Sequence, residues 1–318
     1  MQTQINSAQD LNKQVYLQAI ADHIVTSPGS PIEWGASGET PTVFGLASSD
    51  IECAYALDVD KLSRLSSENL YALSYIDLSK SARLTNLAFG VSLSQMLNVD
   101  IALSDNSTGG DYTTYTFTVS VSHNTAGIQA KLRGYIVCRN FVGSASNSTS
   151  ASGVGYLTIQ VPATSNGAAL FVVFARALFD ERITAYGTYS FGHLAANPQP
   201  NPTFLNQSPL NYSLTVSSNY PTVAFFSSIA LSYSYAANLT FNSPSSYIIP
   251  EFLDKSPIVV VTTGTNGTET FAEWVSYPQL PQNVGADFSS SEQNLFVYPV
   301  TVRGTLYKLT ICFGDIPK

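Results

Sequence analysis

The chain has 318 residues, long enough for two or three packed domains, with 44% hydrophobic and 12% aromatic side chains. Only 11% of the residues are charged, less than half of the usual share of about 25%, and Ser, Thr, Asn and Tyr stand in place of the missing charge. The net charge of −8 excludes the basic face that nucleic-acid binding requires, and a surface made soluble by hydroxyls and amides suits an external environment.

The opening MQTQINSAQDLNKQ is polar and lacks a signal-peptide pattern. No run reaches the roughly 18 apolar residues that span a bilayer. The remaining sequence favours a chain cut just after its targeting segment. Residues 8–26 read as a helix, because Leu17, Ile20, Ala21 and Ile24 recur on one stripe. Pro28-Gly29 stops it. SPGSPIEWGASGETPTVFG follows as an irregular connection with Trp34 as its packing anchor. In YALDVDKLSRLS, Asp58 is an N-cap and Leu62 and Leu65 share one helical face. Asp58 and Asp60 therefore read as helix-start residues. A second short helix is predicted from Tyr75 to Leu87.

From Phe89 the period changes to two. The loop DNSTGGD, Asp105 to Asp111, reads as a Gly-rich inter-domain turn rather than a calcium loop, since its spacing matches no EF-hand. In TTYTFTVSV, Tyr115, Phe117, Val119 and Val121 alternate with Thr and Ser, and GYLTIQV repeats this with Leu157, Ile159 and Val161. ALFVVFARALF is a nearly continuous apolar run and predicts a central strand buried on both faces. Further strands are expected in ITAYGTYSF, NYSLTVSS, TVAFFSSIALSYSY and PIVVVTTG. FVYPVTV and LYKLTICF flank a tight turn expected at Gly304-Thr305. NPQPNPTFLNQSP, residues 197–209, is the best internal boundary, because Pro at this density favours extended, exposed backbone.

Catalytic and metal constellations are absent from the sequence pattern. His23, His123 and His193 share no metal or triad spacing and read as structural or solvated. No GxSxG elbow occurs. Glu269 and Glu273 flank Phe271 on one strand face; at about 3.3 Å per residue their backbones lie roughly 13 Å apart, which suits solvated rim charges better than an acid/base pair. Cys53, Cys138 and Cys312 are far apart and form no zinc spacing. A Cys138–Cys312 bridge and three buried thiols remain equally open. Asn-x-Ser/Thr sequons occur at Asn106, Asn147, Asn206, Asn211, Asn238 and Asn266. A chain this rich in Asn, Ser and Thr generates several by chance, but most fall in expected loops, where a glycan fits. Tyr186, Tyr189, Tyr233, Tyr235 and Trp274 are candidates for a sugar platform, although strand tyrosines more commonly pack.

AIADHIVTSPGSPIEWG, PTVFGLAS, YALDVDKLSRL, LNVDIAL, VVFARALFDERITAYGTYSFG and AEWVSYPQLP resemble segments of archaeal secreted proteins with type IV pilin-like (class III) signal sequences. The resemblance covers most of the chain and carries no catalytic residue. It implies a leader and an apolar anchor helix upstream of the polar helix at 8–26, with the β domains as a head. The apolar half of that helix is missing here.

The expected fold is mainly β: an N-terminal helix (1–30), a small α+β region (31–104), an Ig-like antiparallel β-sandwich (105–196) and a second β-sandwich (197–318). The expected function is a non-enzymatic, pilin-like cell-surface ectodomain without a cofactor. Its expected partners are other surface subunits or a glycan, not nucleic acid, and it would meet a membrane only through the missing anchor. Two alternatives are an adhesin or glycan-binding module using Trp274 and exposed Tyr, and a capsid or surface-layer subunit.

Overall fold

A computed structural model describes residues 2–49, 54–84, 87–198, 204–243, 245–280, 282–285 and 293–314. The fold is mainly β. Four helices come early: α1 (Gln2–Thr26), α2 (Trp34–Ser37), α3 (Val59–Ser63) and α4 (Tyr75–Ser81). The strand β1 (Ala56–Leu57) lies between α2 and α3, and β2 (Ala88–Gln95) follows α4. The middle of the chain supplies β3 (Asn98–Gly109), β4 (Tyr112–His123), β5 (Ala126–Gly127), β6 (Ala130–Cys138), β7 (Phe141–Ser148), β8 (Val154–Pro162), β9 (Gly167–Ala177) and β10 (Thr184–His193). Then follow β11 (Asn206–Leu210), β12 (Ser213–Ser217), β13 (Val223–Leu231), β14 (Ala236–Asn238), β15 (Thr240–Ser243), β16 (Ser246–Ile248), β17 (Ile258–Asn266) and β18 (Glu269–Tyr277). The last strands are β19 (Gln282–Gly285), β20 (Gln293–Val302) and β21 (Thr305–Gly314).

The chain divides into two compact units. One comprises Met1–Ser94, Gln279–Arg303 and Tyr307–Lys318; the other comprises Gln95–Pro278 and Gly304–Leu306. In the first, the sheet β1-β20-β21-β2-β19 packs one face against the helices. Leu17, Ala21, Ile24 and Val25 of α1 enter this core with Leu62, Leu65, Val300, Leu309 and Ile311. Ile20 packs against its edge, so the stripe read from sequence is the docked one. Asp58 caps α3, accepting from the backbone N–H of Asp60 and Lys61 at 2.9 and 3.0 Å. The helix expected over 75–87 is shorter, because Arg83 takes a positive φ of 57° just past Ser81.

The second unit stacks four sheets. The sheet formed by β3, β4, β5 and β8 faces β10-β9-β6-β7; β14-β13-β17-β18 covers the far side of the latter, and β11-β12-β16-β15 lies beyond. Alternation explains the layering. On β4, Tyr115, Phe117, Val119 and Val121 are buried, as predicted. On β9, Ala169, Phe171, Val173 and Ala175 fill the first core, while Ala168, Leu170, Val172 and Phe174 fill the second. The continuous apolar run of this strand is thus explained by two cores sharing it. Phe117 and Phe171 stack at 4.1 Å in the centre of the first core.

The domain boundaries differ from those read in the sequence. The first sandwich starts at Asn98, since β3 pairs with β4 over its whole length. DNSTGGD is the end and turn of that hairpin, not an inter-domain turn. The 197–209 segment does not end a contact unit, because the shared strand β9 binds the sheets on either side of it into one. The C-terminal strands β20 and β21, assigned by sequence to the second sandwich, belong to the sheet of the N-terminal unit. Their turn is Arg303-Gly304, with φ of 52° and 87°, the pair of positive values that a two-residue primed turn requires.

Candidate functional site

Three of the segments that carry the resemblance, AIADHIVTSPGSPIEWG, PTVFGLAS and YALDVDKLSRL, meet in the first unit around Trp34. Its indole Nε1 donates to Gly45 O at 3.1 Å, and Phe44 packs at 6.1 Å. Arg64 lies over the ring at 5.5 Å and donates to the carbonyls of Trp34, Gly38, Glu39 and Tyr71. Lys61 is fully buried, its Nζ donating to Pro28 O at 2.9 Å and Ala47 O at 2.8 Å, with Asp58 at 4.0 Å. Burial lowers the Lys61 pKa against the pull of Asp58 and Glu33. Every donor here satisfies a loop carbonyl, so the cluster shapes the irregular 27–47 connection and offers no reactive group to solvent.

Two clefts lie in the second unit. The first, about 590 Å³, opens between β3 and β10. Tyr115, Tyr189 and Phe191 supply rings, with Phe191 at 4.8 Å from Tyr115 and 6.4 Å from Tyr189. Asn106, Thr108 and Asn197 supply amides and a hydroxyl, and Thr113, buried beneath them, shares a hydrogen bond of 3.2 Å with the Thr108 hydroxyl. Behind the rings, His193 is fully buried. Its Nε2 lies 2.9 Å from Pro162 O, which can only accept, so in the neutral ring Nδ1 accepts from the Tyr115 hydroxyl at 2.9 Å. This pair fixes the Tyr115 ring. The rim is built by close approach at Gly192: a Cβ there would stand 2.5 Å from Ala195 O and 2.6 Å from Ala196 O. Asn197 Oδ1 accepts from Gly192 N at 3.1 Å and holds the rim in place.

The second cleft, about 580 Å³, lies between the Asn140-Phe141-Val142 corner and β13. Phe225, Phe226, Tyr247 and Asn238 line it, and Arg139 sits 4.7 Å over the Phe226 ring.

The sequon asparagines lie on or beside strands more than in the loops expected from sequence. Asn106, Asn147, Asn206, Asn211 and Asn238 are exposed. Asn266 is half-buried and its Oδ1 accepts from Thr222 Oγ1. Asn147 Nδ2 is engaged with Tyr156 O at 2.7 Å. Asn106 and Asn238 each stand on the rim of a cleft, a grouping that sequon spacing does not reveal.

The Cys138–Cys312 bridge is not formed; both thiols are free. Cys138 fills the first sandwich core, where burial pushes its thiol up to about 12, and Cys312 Sγ lies 3.5 Å from Gly90 O on β2. Strand alternation points each into its own sheet's environment. Cys53 lies outside the described residues. Trp274 is half-buried, edge-on to Tyr186 at 5.9 Å, and not an open platform. Tyr186 is buried, Tyr233 packs under Arg176 at 3.9 Å, and Tyr235 stacks on Phe252 at 5.4 Å. Glu269 is exposed as expected, but Glu273 is 6% exposed and accepts from Phe204 N at 2.7 Å and Leu205 N at 3.1 Å. It is therefore not a solvated rim charge. Desolvation raises it to about 7, against those two hydrogen bonds.

His123 is exposed with Nδ1 2.7 Å from Met96 O, and His23 is exposed on α1. Among the described residues no group of three or more His, Cys, Asp or Glu side chains is placed to hold a metal ion. No helix among them is long and apolar enough to cross a membrane.

Known proteins add little to this geometry. No family model matches the chain, and no curated protein does. One solved structure to which it is similar, HBP35 of Porphyromonas gingivalis, aligns over 59% of this chain and 64% of that one. That is just under two thirds of the neighbour's length, at 13% identity and a TM-score of 0.23. A likeness so slight carries no argument about fold or function.

Proposed function

We propose that this chain is the ectodomain of a pilin-like cell-surface protein, a non-enzymatic structural and interaction module. The observation that carries this reading is the asymmetry of α1. The helix has 25 residues, about 37 Å at ~1.5 Å per residue. Its last turns sink into the first unit's core through Leu17, Ala21, Ile24 and Val25, whereas residues 12–16 are exposed on every side. A helix whose last turns are docked while residues 12–16 stand exposed is suited to hold a head away from whatever it joins. The charge-poor surface supports an external setting. AIADHIVTSPGSPIEWG, PTVFGLAS and YALDVDKLSRL converge on Trp34, so three of the segments that carry the resemblance form one physical unit. The test is fractionation of native cells combined with N-terminal peptide mapping by mass spectrometry. Recovery from envelope or medium, with an apolar segment upstream of Met1, is expected. Recovery from cytosol alone overturns the reading.

A further inference from the structure

We infer that the cleft between β3 and β10 is a binding site for a neutral saccharide. The inference concerns the chemistry of the cleft and does not depend on where the protein resides. None of the lining residues is charged, which disfavours anionic and cationic ligands alike. What remains is the pairing that sugars need: a half-buried ring, Tyr189, for the apolar C–H face, with carboxamides and hydroxyls around it for the hydroxyl groups. The volume of about 590 Å³ accommodates one or two sugar rings. The site is pre-formed: His193 locks Tyr115, and the close packing at Gly192 sets the rim that presents Asn197. Among the described residues the Asn106 carboxamide has no hydrogen-bond partner, so it is available to a ligand.

The same chemistry has two sources. Asn106 begins the sequon Asn106-Ser107-Thr108, and both Asn106 and Thr108 line the cleft. A saccharide carried on Asn106 would therefore lie at its mouth, and a free or partner-borne saccharide would enter the same space. The second cleft repeats the arrangement, with sequon residue Asn238 beside Phe225, Phe226 and Tyr247.

The experiment is saturation-transfer NMR on the full chain produced without glycans, using neutral disaccharides as probes and a uronate-bearing disaccharide as the charged control. Transfer from a neutral disaccharide is expected, falling about tenfold in Tyr189→Ala and kept in Tyr189→Phe, which retains the ring. Asn197→Ala, at an exposed rim position, serves if Tyr189→Ala does not fold, and should also weaken transfer. Absence of transfer from every neutral probe overturns the inference, as does transfer that survives both Tyr189→Ala and Asn197→Ala. The glycosylated native chain then separates the sources. Loss of free-sugar binding when Asn106 is occupied supports a tethered occupant, and retained binding supports an external one.

Discussion

The hydroxyl of Tyr298 on β20 donates to the carboxylate of Asp22 on α1 at 2.8 Å, joining the two ends of the first unit across 276 residues. Gln18 Nε2 donates to both partners, at 2.8 Å each. Burial first, and Asp22 next, raise the Tyr298 phenol above its usual range, so it remains a donor at physiological pH. This network orients the helix that the packing of Leu17, Ala21 and Ile24 holds in place.

Tyr298→Phe should cost about 1.5–3 kcal/mol, the loss of a hydrogen bond to a charged acceptor. Urea denaturation would read it as a lower midpoint at unchanged slope. Because the groups share one network, Asp22→Asn combined with it should be markedly non-additive.

Lys61→Met keeps the stem but leaves the carbonyls of Pro28 and Ala47 without their donor. A loss of about 2–4 kcal/mol is expected from two buried acceptors left unpaired. Trp34 fluorescence should shift as its surroundings loosen; an unchanged melt and spectrum would contradict the role given to this lysine.

Glu273 predicts a pH dependence opposite to that of a salt-bridged carboxylate. Its pKa is raised from 4.5 to about 7 in the folded state. Between those values the folded chain binds more protons than the unfolded one. This contribution to stability is therefore full below about pH 4.5 and is lost as pH rises through about 7, with a slope of at most ~1.4 kcal/mol per pH unit. Glu273→Gln should flatten the profile of unfolding free energy across this window.

Native protein should react with thiol reagents slowly or not at all at Cys138, whose thiol is buried and held protonated. Mass spectrometry of alkylated, non-reduced protein should find no Cys138–Cys312 cross-link. A linked peptide would contradict the structure.

Local pattern was legible in the sequence wherever one residue type performs one local task. The stripe on α1, the Asp58 cap and the alternation of β4 and β8 follow from side-chain spacing alone. Glu273 was misread for the complementary reason. Its position on an alternating strand is local, but the N–H groups of Phe204 and Leu205 that make its burial tolerable lie nearly 70 residues earlier. The grouping of the cleft residues Phe191, Gly192 and Asn197 is likewise not local. In sequence Gly192 only precedes the end of β10 and the Leu194-Ala195-Ala196-Asn197 connection, whereas the meeting of these residues with Asn106 and Thr108 requires β3 beside β10.

The sequence by itself determined that this is a β protein with an N-terminal helix bearing one apolar stripe near its C-terminal end, few charges and one strand apolar on both faces, because periodicity and composition act within a few residues of each other. Tertiary structure alone decided the partners. Alternation states that a strand has one buried face but not which sheet will cover it, so only the fold could send β20 and β21 back to the N-terminal unit, separate Cys138 from Cys312, and gather a neutral, ring-lined cleft from β3, β4 and β10.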